Sequence, residues 1–357
     1  MTLRPPEVDE DAILRILRVP PECTGMRLDR FLPLELRATS RSRAQAIIKA
    51  SAFSEDGRKL RSSERLKGEQ KIYLWRPPLD EEPPREPISC IYEDDHLFVV
   101  NKPPLMTVHP TARHHKHTVI RTLERERPHQ TLCLIHRLDR ETSGVLLLGK
   151  SVEADRAFKI QLEERSLAAA RAADLGLPPE RPEKTYLAIT HGVPSEGLCD
   201  LPLEEDPSPL RVKVRVTELG RGQSARTSVK VRATVPGYAL VECGLHTGRQ
   251  HQIRVHLAHL GAPLVGDKLY GPDEGLLARA ADGQLTEEDL RLLELPRHAL
   301  HARSHTVRHC FTGQTLHFVA PIPADLRTFW LDHGGRVEDI AEQESGQDPV
   351  DGEAGGR

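Results

Sequence analysis

Between Pro77 and Pro87 the chain carries five prolines in eleven residues, interleaved with Asp80, Glu81 and Glu82. Proline fixes φ and has no amide hydrogen to donate, so such a run can neither continue a helix nor pair inside a sheet. A chain interrupted this way folds as separate bodies on either side of the break. Its 357 residues, at roughly 150 per domain, predict two domains and their tails. We place an N-terminal extension at 1–23, a small domain at 24–76, the linker at 77–87, a large domain at 88–333 and a tail at 334–357.

The formal net charge of -3 conceals an uneven distribution. From Glu338 to Arg357 seven acids stand against one base, among several glycines. That segment lacks the apolar surface needed to fold and is expected to be disordered. Between Thr24 and Arg76 thirteen Arg or Lys face six Asp or Glu, a local net of +7, which is the electrostatic footprint of a nucleic-acid binder.

With 38% hydrophobic and 29% charged residues the composition is that of a soluble globular chain. No stretch approaches the roughly 18 apolar residues of a membrane span, and the N-terminus lacks a leader's basic-then-apolar order. A cytoplasmic monomer that does not engage membranes is expected. Cys23, Cys90, Cys133, Cys199, Cys243 and Cys310 are dispersed, with no C-x-x-C pair, so neither a zinc site nor a disulfide framework is expected. His251, His256 and His259 lack zinc spacing and an accompanying Glu, and His109, His114, His115 and His117 lack a nearby carboxylate, so no metal site is assigned.

In the small domain Ser40 can cap a helix whose Ile47 and Ile48 face inward and whose basic residues face outward. Asp56-Gly57 then makes a hairpin turn. The runs Gly25 to Leu32 and Ser40 to Gln45 resemble the S-four-type RNA-binding module of ribosomal and RNA-modifying proteins, over about 24–75. That resemblance implies a helix-and-hairpin unit that grips structured RNA, with Arg27, Arg30, Arg41, Arg43 and Lys49 as candidate RNA contacts.

In the large domain strand-like runs recur at 88–92, 97–102, 144–148, 184–190, 211–216 and 238–245. Val212, Val214 and Val216 alternate, whereas a buried parallel sheet would show continuous apolar runs. The fold class is therefore α+β with a mostly antiparallel sheet. An Ala-rich stretch followed by prolines, 166–182, reads as a surface insertion.

Gly144 to Ser151 fits the phosphate-loop pattern G-x-x-x-x-G-K-[ST] letter for letter. Its variable positions are Val-Leu-Leu-Leu, which favour a buried strand over a polar turn, so nucleotide binding is disfavoured. Immediately before it, His136-Arg137-Leu138-Asp139-Arg140 places a carboxylate in a basic loop, where Arg137 and Arg140 would hold it ionised. A second cluster runs from His246 through Arg254 to His256. Thr247 and Gln250 form a capping-box pattern that predicts a helix start, with Ile253, Leu257 and Leu260 on its packed face.

The His136 to Gly144 run, Lys184-Thr185-Tyr186-Leu187-Ala188, and Gly248-Arg249 through His256 with Gly261, Pro263, Gly266, Asp267, Tyr270 and Gly271 together resemble the RluA-type pseudouridine synthase family. Asn101-Lys102-Pro103 with Val108-His109-Pro110 resembles that family's first motif. This chain departs from the family in three places. Pro104-Leu105 replaces the usual Ala-Gly, Gln250 stands for Thr or Ser, and 166–182 is longer than usual.

The resemblance implies isomerisation of a specific uridine to pseudouridine in ribosomal or transfer RNA, without cofactor. It makes Asp139 the essential aspartate, acting covalently on the sugar or by removing a ribose proton; these routes remain open. Tyr186 would stack on the detached uracil and Arg254 would pair with Asp139 across 115 positions. Ile253 would line the base pocket, and His136 and Arg137 would bind substrate, Arg137 filling the gap left by the extruded base. The competing readings are a non-catalytic RNA-binding ribosome-assembly factor and, from the phosphate-loop match, a nucleotide-dependent enzyme.

Overall fold

Side-chain alternation along the strands decides which layers cover the sheet, because successive residues of a strand point to opposite faces. The computed structural model describes residues 4–9, 12–36, 40–76, 83–84, 86–111, 114–207, 213–218, 220–273, 275–281 and 284–341. The described residues divide into two units. One is drawn from 1–85, 109–125 and 205–213, and the other from 86–108, 126–204 and 214 onward.

The first unit contains β1 (Ile13–Arg18), α1 (Leu28–Glu35), α2 (Arg41–Ser51), β2 (Ala52–Phe53) and β3 (Lys71–Arg76), and takes in nearly all of α3 (Val119–Glu126). Ser40 caps α2 as expected, its hydroxyl accepting from the Arg43 amide at 3.2 Å. Leu28, Phe31, Leu32, Ala44, Ile48 and Leu74 form the core between the helices and a sheet of order β1-β3-β2. The expected boundary at Thr24 is corrected: β1 lies in the supposed extension, pairs with β3 from Ile13↔Arg76 to Arg18↔Lys71, and buries Leu17 in that core. Most of the proline run, 77–82 and 85, lies outside the described residues.

The second unit is built on β4 (Ser89–Glu93), β5 (Leu97–Lys102), β6 (Cys133–Leu134), β7 (Ser143–Gly149), β8 (Lys184–His191), β9 (Gly197–Asp200), β12 (Arg226–Val235), β13 (Tyr238–Leu245), β14 (Leu300–Arg308) and β15 (Thr315–Val319). These make one sheet, ordered β4-β5-β7-β14-β8-β13-β12-β9, with β15 beside β14 and β6 beside β7. A short pair, β10 (Leu203–Glu205) and β11 (Val214–Val216), forms a separate ribbon. Residues 211 and 212 of the expected alternating strand lie outside the described residues. The ladders of the large sheet are antiparallel except where His301 and Ala302 of β14 run parallel to Ser143 and Gly144 of β7. The α+β class with a mostly antiparallel sheet is therefore what the chain adopts.

Tyr186, Ala188, Ala239, Val241, Cys243 and Ala302 point to one face, under Ile253 and Leu257 of α5 (Gln252–His259). Leu187, Ile189 and Leu240 point to the other, under Leu326, Phe329 and Trp330 of α8 (Ala324–Asp332). α6 (Leu276–Ala281) and α7 (Glu287–Leu293) follow α5 in the chain. The expected tail start at residue 334 is corrected. α9 (Val337–Ile340) buries Ile340 in the α8 core, and the Trp330 indole donates to Asp339 at 3.1 Å. The large domain therefore extends through residue 341, and its 88–333 span is not undivided, since 109–125 and 205–213 group with the first unit. The rest of the acidic tail lies outside the described residues.

β7 is buried along its whole length, as its apolar run predicts. Thus the phosphate-loop match is a strand, and its Ser151 caps α4 (Val152–Asp174) by accepting from Ala154 at 3.0 Å. The 166–182 insertion is corrected in its first half: the alanines, strong helix formers, extend α4 to Asp174.

Candidate active site

The segment from His136 to Ser143 leads into β7, and nearly every residue after Asp139 is tied down. Lys102, fully buried at the end of β5, donates to the carbonyls of Pro103 (2.7 Å), Met106 (2.9 Å) and Arg140 (3.2 Å). Burial pushes its pKa well below that of an ordinary lysine. Glu141 accepts from Lys268 at 3.0 Å and from the His298 amide at 3.0 Å, while Arg297 donates to the Glu141 carbonyl at 3.0 Å. Thr142 bonds His298 at 2.8 Å and Ser143 bonds His301 at 3.0 Å. Gly144 has φ +114°, and a Cβ there would run into the Ala302 carbonyl. Only glycine lets β7 and β14 approach this closely at such a backbone angle. These ties fix the Asp139 backbone before any substrate arrives, which is how a reacting group is held in productive geometry.

Asp139 keeps 36% of its side-chain surface open to solvent. Its Oδ2 accepts from Arg254 Nη1 at 3.2 Å, and His251 Nε2 lies 3.9 Å away. Burial alone would raise its pKa. The positive field of His251, Arg254 and His298, with the Arg254 hydrogen bond, outweighs that and holds the carboxyl below its usual range. The expected role of Arg137 and Arg140 in that task is corrected: both are exposed, and the groups that face the carboxylate come from other elements.

Arg254 is itself 7% exposed and grips Asp267 with two parallel bonds, Nε to Oδ2 at 2.7 Å and Nη2 to Oδ1 at 2.8 Å. Asp267, 1% exposed, also accepts from the Leu269 and Tyr270 amides at 2.9 and 3.0 Å. Burial would raise its pKa, but Arg254 brings it down to about 2. The guanidinium lies 5.1 Å from the centre of the Tyr270 ring, a cation–π contact. The Tyr270 hydroxyl accepts from the Val214 amide at 2.9 Å and meets His251 Nδ1 at 3.0 Å. A bidentate pair of this kind fixes a guanidinium's plane as well as its position, and the third nitrogen is left for Asp139.

Tyr186, 8% exposed, packs with Ile253 and the partly buried Leu138. Burial, with the charge of Asp139, pushes its phenol above the ordinary value. It therefore stays protonated at neutral pH. The four residues Asp139, Tyr186, Ile253 and Arg254 thus converge, one carboxylate facing an aromatic ring and an apolar floor.

Other expected site residues lie elsewhere. His136 does not present a charge to substrate. Burial lowers its pKa to about 3, and its Nε2 accepts the Leu147 amide at 3.2 Å. α5 starts at Gln252, not after Thr247, which corrects the capping box. Thr247 instead accepts the Arg226 amide at 2.9 Å and donates to Gln252 Oε1 at 2.8 Å, and His251 at the helix cap has φ 55°. In the first unit Arg27 and Arg41 both bond the buried Asp29, each at 3.0 Å, so their guanidinium groups are paired although Arg41 stays exposed, while Arg30, Arg43 and Lys49 are exposed as well. Among the described residues no group of His, Cys, Asp or Glu could hold a metal ion, and no helix is long and apolar enough to cross a membrane.

Sequence reasoning gave no role to Asp267, Lys102, His251, Arg297 or His298. Gly266-Asp267 was the available signal, because Gly266 has φ +74° and a Cβ there would meet the Arg297 carbonyl.

Residues 96–259 match the family described as RNA pseudouridylate synthase. The ribosomal large subunit pseudouridine synthase D of Xanthomonas campestris pv. campestris is 33% identical over 325 residues, covering 89% of this chain and 92% of its own. An uncharacterized RNA pseudouridine synthase of Chloroflexus aurantiacus is 35% identical over 326 residues, 88% of this chain and 92% of its own. Among solved structures, human RNA pseudouridylate synthase domain containing 4 is similar at 25% identity and a TM-score of 0.48, over 67% of this chain and 90% of its own. Identity of this level over nearly the whole length settles the assignment: the chain belongs to the RluA-type family of RNA pseudouridine synthases, and is an isomerase acting on RNA.

Proposed function

We propose that this enzyme converts a specific uridine of large-subunit ribosomal RNA to pseudouridine, with Asp139 as the group that acts on the sugar. The observation that carries the chemistry is the chain Asp267–Arg254–Asp139. A buried bidentate ion pair presents one guanidinium nitrogen to a partly open carboxylate that is held ionised. The ribosomal address is supported by the names of relatives such as the Xanthomonas protein.

In the reaction the N1–C1′ bond breaks and a C5–C1′ bond forms. N1 gains a proton and C5 loses one, so nothing is consumed. Cleavage builds positive charge at C1′. An ionised Asp139 meets that charge by bonding to the carbon or by stabilising it, or else takes a ribose proton to give a glycal. Tyr186, kept protonated, offers its ring to the detached uracil while the base turns, and Ile253 closes the apolar side of that space. The target must leave its stack to reach Asp139, and the exposed Arg137 beside it is placed to occupy the vacated position. Arg30, Arg43 and Lys49 in the first unit serve RNA phosphates, as an S-four-type module would.

The test uses purified enzyme and an unmodified transcript of large-subunit ribosomal RNA. Wild type forms pseudouridine, whereas Asp139→Asn lowers the rate by at least ~10³-fold and leaves RNA affinity within a few fold. Equal loss of affinity and turnover would make Asp139 a structural residue and overturn its assigned role.

A further inference from the structure

A cavity of about 670 Å³ opens where the second half of α4 and the 177–182 turn stand over the start of β8. Asp139, Tyr186 and Arg254 do not line it, so the chemistry described above does not use it. Its volume is nevertheless within the roughly 300–1,000 Å³ of small-ligand pockets. Three of the segments that line it also carry site residues. His136 in its wall is three residues before Asp139, Gly248 and Arg249 at its rim lead into the Arg254 helix, and Lys184 shares a strand face with Tyr186.

The lining contains a cation whose neighbouring carboxylate is already paired elsewhere. The Lys184 ammonium makes no hydrogen bond or ion pair among the described residues, and burial, partly offset by the charge of Glu183, lowers its pKa to about 8, leaving it mostly charged at neutral pH. The carboxylate next to it, Glu183, is engaged by Arg165. Its register partner on β14 is His305, 2% exposed, with neither ring nitrogen bonded and a pKa pushed far down by burial. His136, at 5.3 Å from that ring, is likewise neutral. Lys184 therefore faces two uncharged imidazoles and an open volume.

The walls are braced as well as basic. Ser224 donates to Asp174 at the end of α4 at 2.6 Å, and its carbonyl accepts Arg249 Nε at 3.1 Å. That bond tethers the Arg249 guanidinium in the cavity lining. Pro178, Pro179 and Pro182 also line the cavity and give it apolar surface. A tethered guanidinium and apolar proline surface suit a nucleobase, and a half-buried ammonium suits a phosphate.

We propose that this cavity receives one unpaired nucleotide flanking the target uridine on the same RNA strand, its phosphate on Lys184 and its base against Arg249 and the prolines. The inference rests on the RNA-modifying reading given above. Its first consequence is that α4's extension and the following turn, longer here than is usual in the family, contribute to RNA choice.

The experiment uses the full chain. An unmodified large-subunit ribosomal RNA transcript first identifies the uridine that wild type converts. Failure at this stage counts against the RNA-modifying reading itself, and with it the inference. A stem-loop carrying that uridine is then made with an abasic site at each unpaired flanking position in turn. At one position the abasic site raises the wild-type KM ~10-fold, the scale of a single base-stacking interaction, with kcat within about twofold. Lys184→Met raises KM by a similar factor on the intact stem-loop and no longer distinguishes it from that abasic version. Ala169→Trp, which fills the cavity from α4 without changing charge, behaves the same way, and its unchanged circular dichroism and melting temperature separate blocking from misfolding. The proposal is overturned if both variants keep the full abasic penalty at every position, or if they lower kcat while leaving KM unchanged.

Discussion

At the scale of single residues, the decisive feature is a carboxylate kept ionised against its own burial. Removing solvent favours the neutral acid, and the nearby cationic groups reverse that preference. The acid limb of kcat/KM due to Asp139 should therefore lie below the ordinary aspartate value of about 3.9. Arg254→Gln removes both the hydrogen bond and a positive charge, leaving His251 and His298 to oppose burial, so the limb moves to higher pH. A pH–rate profile from about pH 2.5 to 8 checks this. The same variant strands Asp267 as a buried unpaired charge, costing about 3–5 kcal/mol in urea unfolding. An acid limb that stays where it was in wild type would mean that Arg254 does not govern the carboxylate. The pairing of Asp139 with Arg254 was legible in the sequence, because two recognisable motifs carry the partners. Asp267 was not given its role, since nothing in a linear pattern says that the motif arginine faces two carboxylates and is anchored by the second.

Among the elements, what was legible followed local physics and what was missed followed tertiary contacts. The apolar run 145–148 reads as a buried strand and is one, whereas the alanines after Ser166, read as part of a surface insertion, continue α4 to Asp174. Thr247, by contrast, looked like a helix cap, but Arg226 on a neighbouring strand captures its hydroxyl. Local spacing cannot reveal that competitor. β1 was missed because its pairing partner, β3, lies more than fifty residues away. One element carries visible strain: Leu105 has φ 62°, a left-handed conformation, at the position where relatives of this family usually have glycine. The Lys102 bond to the next residue's carbonyl holds it there. Leu105→Gly should relieve that strain and raise stability by about 1 kcal/mol, read as an upward shift of the urea midpoint. A drop instead would mean that the leucine's packing outweighs its backbone cost.

At the scale of the whole molecule, the proposed reading gives the first unit the work of gripping RNA and the second the work of changing it, and the charge map of the sequence is what suggests that division. Asp29 shows why counting basic residues was not sufficient: it pairs with Arg27 and Arg41 and so neutralises part of their charge, whereas Arg30, Arg43 and Lys49 are exposed away from it. Replacing those three with Ala should weaken RNA binding at low salt and flatten the dependence of log affinity on log salt by about one for each phosphate that is no longer neutralised. Filter binding from 50 to 300 mM salt reads the slope, and an unchanged slope would place the phosphate-binding residues elsewhere. The domain limits were less legible than the charge, because the ends of a domain are set by long-range partners such as Trp330 for Asp339.

The central claim, that Asp139 isomerises a uridine of large-subunit ribosomal RNA, is tested most directly by mapping pseudouridine in that RNA from cells lacking the gene, with complementation by wild type or Asp139→Asn. The account predicts that one or a few positions revert to uridine and are restored only by wild type. Restoration by Asp139→Asn as well, or an unchanged map in cells lacking the gene, would contradict it.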